Sequence, residues 1–318
     1  GDDVAFCREP RFRETGTVAR TAEEAIEMSW QLAIPLLIVA VAVIAAWFVP
    51  HIVGPVLALW VLVSSMVLAT LASVVLLLQI AAAGLSEIPF IADILGWCQA
   101  IYGGQHGATP LVGVIAVGAL AAMAWRTRSY AHEVRLSREN FTDVEGITIV
   151  DVEHPVAFAV PGNPGGVVIS RSMLDALDKV ERRVVLAHEN AHLRYHHHAF
   201  VHAANICAAV IPVFAPFARK VVFLTERWAD EAAAERVGFR SAVADAIAKV
   251  ALLPNYQVPS FAQALSGGDV IARYEALERP KRVPPRMTIL AAISMVVIAI
   301  SATLLQFHQL ADFAVHSR

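Results

Sequence analysis

The sequence predicts an α-helical integral membrane protein of about four transmembrane helices, with a mainly α polar domain carrying a small β-sheet on the cytoplasmic side. Three observations predict this class. Hydrophobic residues make up 57% of the 318 and charged residues 17%, against about 25% charge in an average soluble domain. Between Glu27 and Glu87 there is no Lys, Arg, Asp or Glu. Most of the remaining charge gathers between 130 and 286. Mean hydropathy is +0.57. This composition argues against a disordered chain and an ordinary cytosolic enzyme, and the net charge of −3 against a basic nucleic-acid binder. Cys7, Cys98 and Cys207 are too few and too far apart for a disulfide scaffold or a CxxC site.

Residues 1–29 form a polar N-terminal segment without the apolar core of a signal peptide, and Gly1 in place of Met suggests a processed or engineered end. Thr21-Ala22-Glu23-Glu24 reads as a capping box opening the first span. A bilayer core about 30 Å thick takes roughly 20 apolar helical residues, so the charge-free run holds two spans. They are 30–49 and 56–83, parted by the prolines and glycine of 49–55. The segment 84–109 is an external loop, and 110–125 is a short third span helped by Arg126 and Arg128 reaching the interface. A fourth span covers 288–307 within a closing segment 287–318. The apolar run 199–217, interrupted by Pro212 and Pro216, reads as a helix pair that lies on the membrane, dips into it or crosses it. Arginines and lysines flank the third span at 126–138 and the fourth at 279–286, whereas 84–109 has none. That bias puts 127–286 in the cytoplasm.

Within the polar domain, 146–152, 156–160 and 167–170 are short β-rich runs separated by turn residues. Asp178, with Glu181 three residues on, caps a helix that is expected to run to the histidines at 196–198. This helix contains His188-Glu189-Asn190-Ala191-His192, an HExxH sequence. Positions i and i+4 share a helix face, so His188 and His192 can reach one metal ion. Two neutral imidazoles suit Zn2+, and Glu189 is close enough to take a proton from a water held there. A zinc centre of that kind needs a third protein ligand. Glu226 can supply it from a second helix, and Asp230, one turn later, can hydrogen-bond a ligating His. The competing reading is a chance pentapeptide on a polar helix face.

The run 186–192 followed by Glu226-Arg227-Trp228-Ala229-Asp230 resembles the gluzincin membrane metallopeptidases, among them HtpX-type proteases and the protease modules of the BlaR/MecR transducers. Val156-Ala157-Phe158-Ala159-Val160-Pro161-Gly162 is similar to their strand before the zinc helix, and Gly166–Ser170 to a neighbouring strand. The resemblance implies a zincin domain with one Zn2+ per chain, and a substrate peptide added as a strand along Val156, Ala157, Phe158, Ala159 and Val160. It gives His197 and Arg273 supporting roles beside the metal, against the plainer readings of a solvated histidine cluster and a helix surface. The order of spans matches BlaR/MecR more than HtpX. The penicillin-binding sensor of those transducers has no counterpart after the fourth span, so β-lactam sensing is not carried over. Asn190 stands where the family usually has an apolar or small residue.

The resulting expectation is a zinc endopeptidase in a bacterial plasma membrane, with protein substrates such as a transcriptional repressor or membrane proteins. Its partners are that substrate and the lipid bilayer, with no nucleic acid. Two rivals are a site-2-type intramembrane protease and a non-enzymatic metal-binding sensor or scaffold. Arg182, Arg183 and Arg194 lie too close to the motif for the first.

Overall fold

A computed structural model describes residues 53–86, 110–138, 144–162, 165–254 and 270–279, together with Tyr256 and scattered positions within 40–47, 88–90 and 286–304. Two of its helices are long and apolar enough to cross a membrane. The first, α1 (Pro55–Ser86), matches the expected second span and extends it at both ends. The second, α2 (Pro110–Arg138), does not stop where the expected third span did. No Gly or Pro occurs between Ala119 and Arg138, so nothing ends the helix where its apolar stretch ends. The 126/127 boundary assigned to the polar domain therefore falls inside α2. The expected first and fourth spans, the capping box at 21–24 and most of the loop 84–109 lie outside the described residues. α1 and α2 cross where Gly113 meets Gly84; a Cβ on Gly113 would come within 2.8 Å of the Gly84 backbone. Only residues without side chains permit that approach.

The polar domain begins with a three-stranded sheet of order β1-β3-β2, comprising β1 (Gly146–Val150), β2 (Ala157–Val160) and β3 (Gly166–Ser170). The central β3 is buried throughout, parallel to β1 and antiparallel to β2. β2 is thus an edge strand. Ser170 ends β3 and caps α3 (Arg171–Ala176), its Oγ accepting the Met173 and Val156 amides at 3.1 and 3.0 Å. Helix α4 (Lys179–Arg194) opens on the expected capping box. Asp178 Oδ1 accepts the amides of Val180 and Glu181 at 2.7 and 2.9 Å, while Glu181 Oε2 accepts the Asp178 amide at 2.7 Å.

α4 does not reach the histidine cluster. It ends at Arg194, and His196 takes a left-handed conformation at φ 52°. A non-glycine residue there costs about 1–2 kcal/mol. That turn swings the chain into α5 (His197–Val210), so that His197 points back at the end of α4 instead of continuing its face.

The apolar run 199–217 is a helix pair, as expected. α5, a turn at Pro212–Phe214 and α6 (Ala215–Val237) fold back on α1. At 1.5 Å per residue α5 is about 21 Å long, short of a 30 Å hydrocarbon core. The pair buries Val201, Ala204, Cys207, Val221 and Leu224 against Leu59, Leu62 and Met66 of α1. α6 closes on Gly238 at φ 96°, a left-handed cap that glycine adopts at no steric cost. α7 (Arg240–Ala251) and α8 (Val270–Glu278) complete the domain, and Val243, Ala244 and Leu277 pack there with Val184 of α4.

Candidate metal centre

Helices α4 and α6 lie side by side and bring His188, His192 and Glu226 together, their ligand atoms all within 4.8 Å of one another. His188 Nε2 is 3.1 Å from His192 Nε2 and 3.4 Å from Glu226 Oε2, and His192 Nε2 is 3.4 Å from Glu226 Oε1. The other ring nitrogens are taken. His188 Nδ1 donates to Asp230 Oδ1 at 3.0 Å, and His192 Nδ1 pairs with His197 Nδ1 at 3.1 Å. Such bonds fix which nitrogen of each imidazole carries a lone pair into the site. Two imidazole lone pairs and a carboxylate converging on one point are the donor set of a tetrahedral zinc site with one position left open. The residues fit the ion.

The cluster reading of 196–198 is corrected for His197, which is 1% exposed, stacks on Tyr195 and packs against Trp228 and edge-on to His192. Burial, reinforced by the charge of His192, pushes its pKa down to about 2. It serves as a neutral partner. The helix-surface reading of Arg273 is likewise corrected. Arg273 is buried, donating from Nε and Nη2 to Asp230 at 2.8 and 2.7 Å, with Nη1 at 2.9 Å from Glu226 Oε2. Burial would raise the Glu226 pKa, but Arg273 and the two histidines hold it well below the usual carboxylate range. Burial likewise works against a proton on His188, yet the bonds to Asp230 and Glu226 raise its pKa to about 10. His192 moves the other way, pushed down to about 4 by burial.

Glu189 faces β2, where the Ala159 backbone amide favours its ionised form. Burial pushes its pKa up to about 7 against the opposing pull of His188. A carboxyl group titrating near neutrality is suited to exchanging protons there. The expected substrate strand can be resolved further. Ser170 N–H donates to Val156 O at 2.8 Å, and antiparallel pairing alternates. Phe158 and Val160 therefore bond inward to β3, while Ala157 and Ala159 aim their amides and carbonyls at the open edge. The site lies in a cleft of about 1170 Å³ including its open mouth. One wall is polar, with the metal trio, Glu189, Tyr256 and Arg273; the other is aliphatic, with Val185 of α4 and Ile247 and Val250 of α7. Tyr256 escaped the sequence reading. No local motif marks it, and burial together with Glu189 and Glu226 raises its pKa.

A helical HExxH pair with a carboxylate from a second helix, a further carboxyl group beside it and an open strand edge above is the arrangement of the metal-dependent peptidase class. Residues 125–258 match the model of peptidase family M48, a family of zinc metallopeptidases that includes HtpX and BlaR-type modules. The family resemblance read from the motifs is thus shown for these residues, and it supports a metallopeptidase. No curated protein and no solved structure matches the chain.

Proposed function

We propose that the protein is a membrane-embedded zinc endopeptidase that cleaves extended segments of protein substrates at the cytoplasmic face of a bacterial plasma membrane. The observation that carries the chemistry is the convergence of His188, His192 and Glu226 beside Glu189. When bound, the ion supplies Lewis-acid polarisation of the attacking water and of the scissile carbonyl. Glu189 takes the water's proton and returns it to the leaving amine. Asp230 and His197 hold the two imidazoles by their Nδ1 atoms. The outward amide of Ala157 and the outward carbonyls of Ala157 and Ala159 hold the substrate backbone extended, and the aliphatic wall favours an apolar side chain beside the cleaved bond.

Membrane embedding draws support from α1 and from α2, whose Leu111, Ile115 and Trp125 are 69%, 62% and 69% exposed. A lipid-facing helix presents such a surface. A transcriptional repressor or a membrane protein remains the proposed substrate class.

The first test is zinc content of detergent-purified protein. Wild type is expected to hold about one Zn2+ per chain, in keeping with a three-ligand catalytic site. His188→Ala and Glu226→Ala should lose it. Glu189→Gln should keep zinc and lose at least about 100-fold in turnover. A wild type that stays metal-free after reconstitution would favour the scaffold reading.

A further inference from the structure

Helix α8 has nine residues, too few to be stable alone, yet it delivers Arg273 onto both Asp230 and Glu226. What keeps it docked lies at its other end. Arg240, the first residue of α7, donates from Nη2 to the Ala276 carbonyl at 2.9 Å and from Nη1 to the Arg279 carbonyl. These carbonyls end the helix, where a cation meets both its unsatisfied acceptors and its dipole. Arg240 is itself held by Glu231, whose Oε1 lies 2.6 Å from Nη2 and also 3.4 Å from Arg227 Nη2. Glu231 follows Asp230 directly on α6. Two consecutive acids of one helix thus grip the same short helix at two points: Asp230 through Arg273, and Glu231 through Arg240. Leu277, 3% exposed, packs beside the grip.

We infer that Arg240 and Glu231 are positioning residues that clasp the end of α8 and so keep Arg273 seated on the metal centre. This rests on the zinc-peptidase reading of that centre. Without Arg273, Glu226 and Asp230, one turn apart, would lose the guanidinium that bridges them. Glu226 would then lose the bond that orients its Oε2. The clasp lies outside the metal ligands and outside the cleft, and α8 lies beyond the family match at 125–258. Nine residues, 279–287, separate α8 from the apolar run 288–307 in the sequence.

The test is hydrogen exchange on the full-length, detergent-solubilised chain, paired with the rate at which a chelator removes Zn2+. Arg240→Gln and Glu231→Gln should each speed exchange at the α8 amides about tenfold, the scale of one lost charge-assisted hydrogen bond. Exchange in α4 should stay near wild type, and zinc should leave about tenfold faster. The double variant should be no worse than the worse single variant, because both break one clasp. Glu275→Gln, on the exposed face of α8, should behave as wild type. Unchanged α8 exchange in both single variants overturns the clasp, and faster α8 exchange with unchanged zinc release overturns its link to the metal. If Arg240→Gln unfolds, Arg240→Lys keeps the charge but cannot span both carbonyls and Glu231. Wild-type values in both readouts for Arg240→Lys would also overturn the proposal. A wild type that binds no zinc defeats the peptidase reading instead, while α8 exchange still reports on the clasp.

Discussion

At the scale of single residues, the site is a set of buried charges arranged to cancel. Arg273 offsets two carboxylates that burial alone would neutralise by protonation. Removing it would leave an uncompensated buried charge, a change that typically costs about 3–5 kcal/mol. His188 shows how the same network responds to metal. In the metal-free chain it carries a proton at neutral pH, since its pKa is raised to about 10. It must lose that proton to bind Zn2+. Zinc uptake at pH 7 should therefore release about one proton from His188, and apparent affinity should fall about tenfold per pH unit lowered. Calorimetry in buffers of different ionisation enthalpy checks this; a proton count of zero would contradict the raised pKa. His192 adds no proton at pH 7, because burial pushes it down to about 4. Glu189 works in the opposite sense. It must be ionised to act as base and titrates at about 7. A cation beside it favours the ionised form, so the acid limb of the pH–rate profile should fall at or below pH 7.

At the scale of elements, β2 is where the reading of the chain is most open to test. Its inward bonds run from Val156, Phe158 and Val160, which leaves Ala157 free of the β3 ladder. Proline at an edge position whose N–H faces outward is tolerated. Ala157→Pro should keep the fold and the zinc and raise KM about 2- to 10-fold, the value of one backbone hydrogen bond. A fall in kcat at constant KM would place the substrate elsewhere. The elements also show what was legible in the sequence. Asp178 and Glu181 marked the start of α4 because a capping box is local. The end of α4 was not legible, because His196 adopts a left-handed turn that nothing in its side chain requires. The contact from His197 to His192 accompanies that turn, and contacts of this kind have no local pattern. The end of α2 was not marked by the span bounds for a different reason. Apolar periodicity marks where lipid contact stops, whereas a helix continues until a breaker or a competing contact ends it.

At the scale of the whole molecule, the metal centre is built against the long helices. Val201 of α5 lines the cleft and also packs in the cluster that contains Leu59 and Leu62 of α1. The polar domain and the apolar helices share one core, so if α1 and α2 lie in a membrane the domain should not come free of it without unfolding. The full-length protein is expected to stay with membranes through high-salt and alkaline carbonate washes and to leave only with detergent. Release by carbonate would sink the integral-membrane reading. The sequence by itself determined the candidate donor groups at the centre. On any helix HExxH places two imidazoles on one face with a carboxylate beside the first, and a carboxylate pair four residues apart shares a face in the same way. Only the tertiary structure decided which groups hold those residues in place. His197, Arg273, Glu231 and Arg240 reach the centre or its support from separate elements, 5 to 47 positions from the nearer of His192 and Glu226. Their burial and pairing come from how α5, α7 and α8 pack on α4 and α6, and packing is a property of the assembled fold that no short stretch of sequence encodes.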